Sequence, residues 1–387
     1  MQVDALDLEE FRNYDRVSVA FAPRLNLVVG RNAQGKTNLL EAVYCLSGLG
    51  SPRGPDSTLI REGAEHALIH ATVRRKGRAS KIDLEFRPGR GARALVNGSA
   101  LRTARALGET CVSVFFGPDE LSLVKGSPEG RRRFLDDLIV KMRPAQAELR
   151  REWERVLKQR NALLKEAPFR GGRRVTPPTQ EVWDEAFCRA GAALAAARLR
   201  ALASLIPFAS GRYADVAHAG ELLLRYVSSW LPETSSDEAL LHPEDIDETD
   251  LASALRDRIE EVAARELERG MSLAGPGRDD IGVWLRAESG SEPLEARNYA
   301  SQGDQRTASL ALKLGEHDLL TEVLDDTPIL LLDDVFSELD PNRRGWLQEA
   351  VAGSGQTLLS TTDSATVKAL HADRVLRVDA GTVRLDE

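Results

Sequence analysis

Cysteine is scarce: Cys45, Cys111 and Cys188 are the only three in 387 residues. They are far apart and odd in number, so they form neither a disulfide framework nor a CxxC metal clamp. Three partly buried thiols in a reducing cytosol are the expected state, and the localisation expected is cytoplasmic, with the nucleoid. Long apolar runs are also missing. No stretch approaches ~18 uninterrupted apolar residues, so no membrane span is expected. The start, Met1-Gln2-Val3-Asp4, lacks the basic and then apolar pattern of a secretory signal. His66 and His70 are spaced i, i+4, but in a strand-like stretch without an adjacent catalytic Glu, which argues against a metal site there. An overall positive charge is absent too. The net charge is −8, which taken alone argues against a polyanionic partner.

The charge is unevenly spread, and that changes the reading. Between Arg53 and Arg105 there are 12 basic and 5 acidic residues, and between Lys125 and Arg174 there are 15 and 7. From Leu231 to Gly270 the balance reverses to 4 and 13. A locally basic face can attract nucleic acid on an acidic protein, because the field is felt within a Debye length of ~10 Å. The alternative is that these are ordinary solvated faces.

With 42% hydrophobic and 29% charged residues, the balance is that of a folded globular chain. Residues 17–29 read as strand, turn, strand, and Asn38–Leu46 as a helix. Ala67–Val73, Lys81–Phe86 and Ala94–Val96, divided by Gly, Pro and Asn-Gly signals, read as an antiparallel β region. Glu129–Lys165 reads as a charged helical run, about 55 Å long at ~1.5 Å per residue. Arg170–Pro178 and the acidic stretch Leu231–Asp250 read as connections. Glu181–Ile206 and Leu251–Arg269 read as helices, and strand signals return after Gly282. Pro328–Leu332 is the most apolar run and suits a strand buried on both faces of a largely parallel sheet. The fold class expected is α/β: a head from residues 1–120 and 285–387, interrupted by a mainly helical arm at 121–284.

Gly30-Arg31-Asn32-Ala33-Gln34-Gly35-Lys36-Thr37 fits GxxxxGK[ST], after a predicted strand and before a predicted helix. Such a loop turns backbone N–H groups and a helix N-terminus toward a triphosphate. Lys36 is expected to reach the β and γ phosphates and Thr37 to ligate Mg²⁺, with Asn38 completing the nucleotide-binding segment. Asp333-Asp334 end the apolar strand, where α/β sheets bind ligands. Asp333 is expected to hold Mg²⁺ and Asp334 to orient or deprotonate the attacking water. Ser301-Gln302-Gly303-Asp304-Gln305 opens a helical stretch, a second anion-binding terminus, and Ser337-Glu338-Leu339-Asp340 follows the acidic pair. Alone, either segment reads as a helix cap.

Taken in order, loop, SQGDQ, ILLLDD and ELD resemble the ABC-type ATPase head, where signature motif, Walker B and D-loop follow one another. More closely, Leu8, Phe11-Arg12-Asn13-Tyr14, Leu25-Asn26, Asn38–Ala42, Phe116–Leu121, Gly126-Ser127-Pro128 and Arg131–Asp136 resemble the RecF family of bacterial recombination mediators. That resemblance implies an ABC-type P-loop ATPase head with a parallel core sheet and an antiparallel β region. It implies ATP-dependent homodimerisation, with Ser301, Gln302, Gly303 and Asp340 of one copy facing the nucleotide of the other. It further implies binding to double-stranded DNA, gapped or at a junction, and work with RecR and RecO to load RecA, linked to replication, repair and the SOS response. Two departures are plain. Asp334 stands where a glutamate is usual, and Ser360-Thr361-Thr362-Asp363 lacks a switch histidine, so Thr361 or Thr362 is expected at the γ-phosphate. A Q-loop glutamine is not evident, although Phe115–Asp119 sits in about the right place. Slow hydrolysis follows.

The hundreds of heptad residues of a chromosome clamp are absent. For DNA, Arg74, Arg75, Lys76, Arg131, Arg132 and Arg133 are the candidate phosphate contacts, the last three with a structural alternative. The rival readings are a stand-alone NTPase or kinase, a protein using nucleotide as a structural ligand, and a transporter ATPase.

Overall fold

The computed structural model describes residues 1–386 except 171–172, 218–219, 288–289 and 363–369. Two compact units emerge, one of residues 1–121, 208–218 and 301–387 and one of 122–207 and 219–300. The sequence-based division put 285–300 with the head. These residues instead group with the second unit, where Trp284 and Leu285 pair with Glu295 and Leu294.

Two six-stranded sheets build the first unit. One is antiparallel, in the order β2-β1-β4-β5-β6-β7, from β1 (Gln2–Phe11), β2 (Tyr14–Ala20), β4 (Ala67–Arg75), β5 (Arg78–Phe86), β6 (Arg93–Val96) and β7 (Ser99–Ala100). The second runs β17-β16-β3-β15-β14-β8, from β3 (Leu25–Val29), β8 (Ser113–Phe116), β14 (Ile329–Asp333), β15 (Thr357–Thr361), β16 (Arg374–Asp379) and β17 (Thr382–Leu385). Its strands are parallel except for the terminal β16–β17 hairpin. β14 is buried at all five positions, as a central strand covered on both faces must be. Around these sheets lie α1 (Lys36–Cys45), α9 (Gln302–Leu324) and α10 (Pro341–Ala352). A shared core joins Leu6, Leu8 and Phe11 of β1 to Leu39, Leu40 and Val43 of α1 and Leu331 of β14.

β1 was not anticipated. Its apolar positions Val3, Leu6, Leu8 and Phe11 lose strict alternation where the pairing register shifts between Val3 and Ala5, a bulge that hides the period-2 signal.

The second unit holds α2 (Ser122–Lys125), α3 (Pro128–Met142), α4 (Ala147–Lys165), most of α5 (Gln180–Ala217), α6 (Glu233–Leu241), α7 (Glu248–Arg269) and α8 (Ala296–Tyr299). Its strands are the short pair β9 (Phe169–Arg170) and β10 (Arg173–Arg174), and the sheet of β11 (Glu221–Val227), β12 (Asp280–Arg286) and β13 (Leu294–Glu295). Three expectations change here. The single run Glu129–Lys165 is two helices, because Pro144 forces Arg143 out of the helical region, at φ −146° and ψ 93°. The connection Leu231–Asp250 contains α6, and the loop Arg170–Pro178 contains part of the β9–β10 pairing. α5 is long and apolar enough over Gln180–Val216 to span a membrane by length and composition, yet 61% of its most apolar window is buried within the protein, as in a core helix.

Candidate functional site

The Gly30–Thr37 loop leaves β3 and turns into α1, and its neighbours explain its glycines. A Cβ on Gly30 would lie 2.3 Å from the Val378 carbonyl oxygen. Gly35 has φ +119°, and a Cβ there would meet the Asn13 amide and the Tyr14 hydroxyl at 2.7–2.9 Å. Tyr14 donates to the Gly35 carbonyl (2.9 Å) and Asn13 Nδ2 to that of Gln34 (2.9 Å). From the β16–β17 turn, the Ala380 amide donates to Gln34 Oε1 (2.7 Å) and the Gly381 amide to the Gln34 carbonyl. Two distant segments therefore clamp the loop. Burial pushes the Tyr14 hydroxyl well above its ordinary range, so it remains a donor. Asn38 Nδ2 donates to Asn13 Oδ1 (2.8 Å). Arg31, Asn32 and Ala33 are exposed at the tip.

Lys36 is buried, with Nζ donating to the Gly30 and Arg31 carbonyls at 2.9 and 3.0 Å. Desolvation lowers its pKa, against the opposing pull of Asp334 and Asp333. Thr37 Oγ1 donates to Asp333 Oδ2 at 2.7 Å, and Ser360 Oγ donates to Asp333 Oδ1. The Asp334 amide in turn donates to the Ser360 hydroxyl and carbonyl oxygens at 3.0 and 3.2 Å. Asp334 has φ +50°, the left-handed region, as the chain leaves β14. Thr361 is buried at the end of β15, while Thr362 is exposed and Asp363 lies outside the described residues. Phe116, Gly117 and Pro118, within the stretch considered for the Q-loop, line a cleft with Asp333, Asp334, Arg306 and Leu310.

Glu41, one turn into α1, is wholly buried. Arg12 grips it through two hydrogen bonds of 2.7 and 2.8 Å, and Arg53 and Ser51 complete its coordination. Burial would raise its carboxyl, but these donors outweigh that and hold it below the usual range.

A second cluster forms elsewhere in the same unit. Ser301 caps α9, accepting from the Asp304 amide (3.2 Å) and donating to Asp304 Oδ2 (2.7 Å). Gln302 is exposed and Gly303 half-buried. Asp340 caps α10, accepting from the Asn342 and Arg343 amides at 3.0 and 3.1 Å. Among the described residues, no hydrogen bond or ion pair joins Ser301, Gly303 or Asp340 to Lys36, Thr37 or Asp333. The loop and acidic residues thus come together, while the signature and D-loop residues form a cluster with its own hydrogen bonds.

The basic candidates divide sharply. Arg131 is 5% exposed and forms a bidentate pair with Asp280 at 2.7 and 2.8 Å, besides donating to the Gly126 carbonyl. Its proposed contact with DNA is withdrawn, because no part of the guanidinium is left for a phosphate. Arg132 is partly buried and donates to the Asp279 carbonyl (2.7 Å), and Arg133 pairs with Asp137. Arg74 and Lys76 are exposed, paired with Asp4 (2.8 Å) and Asp325 (3.0 Å). Arg75, half-buried, donates to the Gly108 and Glu109 carbonyls.

Sequence reasoning passed over Ser360 and Arg343 as site residues. Ser360 stood beside the threonines examined for a switch role, and a serine on a strand paired with the Asp333 strand was the available signal. Arg343 carried none, since its partners are 3 and 39 residues away.

Residues 2–383 match the family model of the RecF/RecN/SMC N terminal domain. The DNA replication and repair protein RecF of Streptomyces avermitilis is 41% identical over 99% of both chains. Its counterpart in Acidothermus cellulolyticus is 40% identical, covering 93% of this chain and 94% of that one. The recombination mediator protein RecF of the RecFOR pathway, solved as RecF-ATP, aligns with TM-score 0.86 and 27% identity, over 100% of this chain and 97% of that one. An SMC head bound to the C-winged helix domain of ScpA shares the fold, with TM-score 0.54 at 14% identity. The chain belongs to the RecF family of ABC-type ATPases, within the group defined by the RecF/RecN/SMC N-terminal domain.

Proposed function

We propose that this chain is an ATP-dependent DNA-binding recombination mediator whose nucleotide site is completed by a second copy. The observation that carries this reading is a pair of clusters on one unit that share no hydrogen bond among the described residues. Lys36, Thr37 and Asp333 form one, and Ser301, Gly303 and Asp340 form the other, each internally hydrogen-bonded. Two copies related by a two-fold axis would bring unlike halves together twice. The nucleotide held by the RecF-ATP relative supports ATP as the ligand.

In this reading the Lys36 ammonium exchanges two loop carbonyls for the β and γ phosphate oxygens, a stronger charge-assisted contact. The residues Gly30–Asn38 wrap the triphosphate. The Thr37 hydroxyl and Asp333 carboxylate, already adjacent, offer the hard oxygen donors that suit Mg²⁺. When bound, that ion would neutralise phosphate charge. Ser360 fixes Asp333, and Asp334 orients or deprotonates water with a side chain one methylene shorter than glutamate, so turnover is slow. Thr361 serves in place of a switch histidine. The unit of residues 1–121, 208–218 and 301–387 acts as the head, and that of 122–207 and 219–300 as the arm. DNA stimulates hydrolysis, and hydrolysis releases DNA. The relatives' role in replication and repair, and the RecFOR pathway, support RecO and RecR as partners, RecA loading at gaps, and a cytoplasmic site of action.

The test is molar mass in solution without nucleotide, with ADP and with ATP, each with and without a short gapped duplex, for wild type and Ser301→Arg. Dimers seen only with ATP, lost in the variant and stabilised by DNA, are expected. A mass indifferent to nucleotide would overturn the shared-site reading.

A further inference from the structure

We infer that Arg343 is a positioning residue that holds the Ser301–Gly303 segment in shape for the other copy's ATP; the inference rests on the composite-site reading above. Arg343 lies in the first turn of α10, three residues after Asp340. Its Nη1 donates to Asp340 Oδ2 (2.8 Å) and its Nη2 to Asp304 Oδ1 (3.3 Å). The other Asp304 oxygen accepts from Ser301 Oγ (2.7 Å). A continuous polar chain, Ser301–Asp304–Arg343–Asp340, therefore links the cap of α9 to the cap of α10. The guanidinium also lies against Gly303: a Cβ there would stand 2.8 Å from Nη1 and 3.4 Å from Cζ. A side chain at this position would displace the guanidinium from its place against the glycine.

Electrostatics gives the arrangement a purpose. Asp304 and Asp340 flank the segment expected to face a triphosphate, and two unbalanced carboxylates there would repel it. One guanidinium, reaching both, offsets one of the two charges and ties the two helix N-termini together. A lysine could balance the charge but could not fork to both carboxylates. Since the three side chains are 27–47% exposed, the ion pairs themselves add little to folding stability. Their effect falls on the anion that approaches, so dimerisation responds more than folding does.

The experiment uses the full chain with Mg²⁺ and ATP, and measures the dimer dissociation constant by light scattering. ATP affinity is measured separately on the monomer at low protein concentration, together with the thermal midpoint. Arg343→Ala is expected to weaken dimerisation roughly tenfold or more, the scale of a lost helix-cap contact occurring at two symmetric sites. Its monomer ATP affinity and midpoint should match wild type. Arg343→Lys should recover part of the loss, and so should Asp304→Asn added to Arg343→Ala, because it removes the carboxylate left unbalanced. Wild-type dimerisation by Arg343→Ala, or a midpoint that falls in step with dimerisation, would overturn the inference alone. A wild-type chain that stays monomeric with ATP would overturn the composite site itself.

Discussion

Three buried arginines of the second unit and the buried loop lysine of the first are held in opposite ways. In the second unit Arg131, Arg160 and Arg198 are 5%, 1% and 3% exposed, and each is matched by carboxylates. Arg160 reaches Asp184, Glu266 and Ser272 and stacks on Phe187 at 4.6 Å. In the first unit Lys36 is 6% exposed, but its ammonium rests on two backbone carbonyls of its own loop. A guanidinium and carboxylate buried together depend on each other, since removing either strands a charge. A carbonyl is a weaker, neutral partner that a phosphate can displace. Burial of a basic residue therefore does not separate framework from function. The identity of its partner does.

The largest expected effect tests the framework side. Arg198→Ala leaves Asp136 buried without its two guanidinium bonds of 2.7 and 2.9 Å, and should cost about 3–5 kcal/mol in denaturant unfolding. Replacing Arg198 and Asp136 together by apolar residues of similar volume should recover most of that loss. If the single variant loses under ~1 kcal/mol, the mutual dependence argued here is wrong.

Next comes a pH effect in the same unit. Burial pushes the Asp279 carboxyl up to about 6, against hydrogen bonds from Tyr226, Ser228 and Trp230 and the charge of Arg198. Its ordinary value is 3.8. Between these values the folded chain keeps a proton that the unfolded chain has released. This group's contribution is therefore greatest below pH ~4 and is lost as pH rises through ~6, by about 3 kcal/mol in all. Asp279→Asn removes the titration. The stability of wild type relative to that variant should fall by this amount between pH 4 and 7 in parallel unfolding curves, and a flat difference would refute the assignment.

Lys36→Ala probes the exchangeable side. ATP affinity, measured by calorimetry, should drop roughly ten- to hundredfold, the range of lost charge-assisted hydrogen bonds. Folding stability without nucleotide should change by less than ~1 kcal/mol. A large loss of stability would make Lys36 framework, like Arg198.

How much of this was legible depended on the distance over which each signal acts. The loop, its helix and the buried strand before Asp333 are set by local patterns, and they stand where the patterns put them. β1 was hidden by its bulge, and the break at Arg143-Pro144 is readable from the proline although the stretch reads as one charged helical run. Long-range pairings were legible only where two motifs shared a ligand: Thr37 and Asp333, both expected at Mg²⁺, meet across 296 residues, whereas nothing near Arg131 in sequence announces Asp280. A run of three arginines looks like a phosphate-binding patch until the fold supplies its carboxylates. Conversely, the sequence assigned no role to Ser360 or to Tyr14 beyond its place in a family motif, and the fold sets one on Asp333 and the other on Gly35.

The smallest expected effect is the most discriminating for DNA, because it separates two basic stretches that sequence alone offered as phosphate contacts. Each phosphate neutralised contributes about 0.9 to the slope of log K against log salt on duplex DNA. Arg74 and Lys76 stand on or beside the exposed β4–β5 turn, in surface pairs that a phosphate can replace with little penalty. Arg74→Ala and Lys76→Ala should each flatten the salt dependence of DNA binding by roughly one unit of slope, with unfolding unchanged. Arg131→Ala should do the reverse: the slope of the folded protein is kept, while stability falls because Asp280 loses its bidentate partner. If Arg131→Ala flattened the slope instead, the α3 arginines would regain their place as a DNA contact. The rule that a carboxylate partner marks a framework cation would then fail where it was most directly applied.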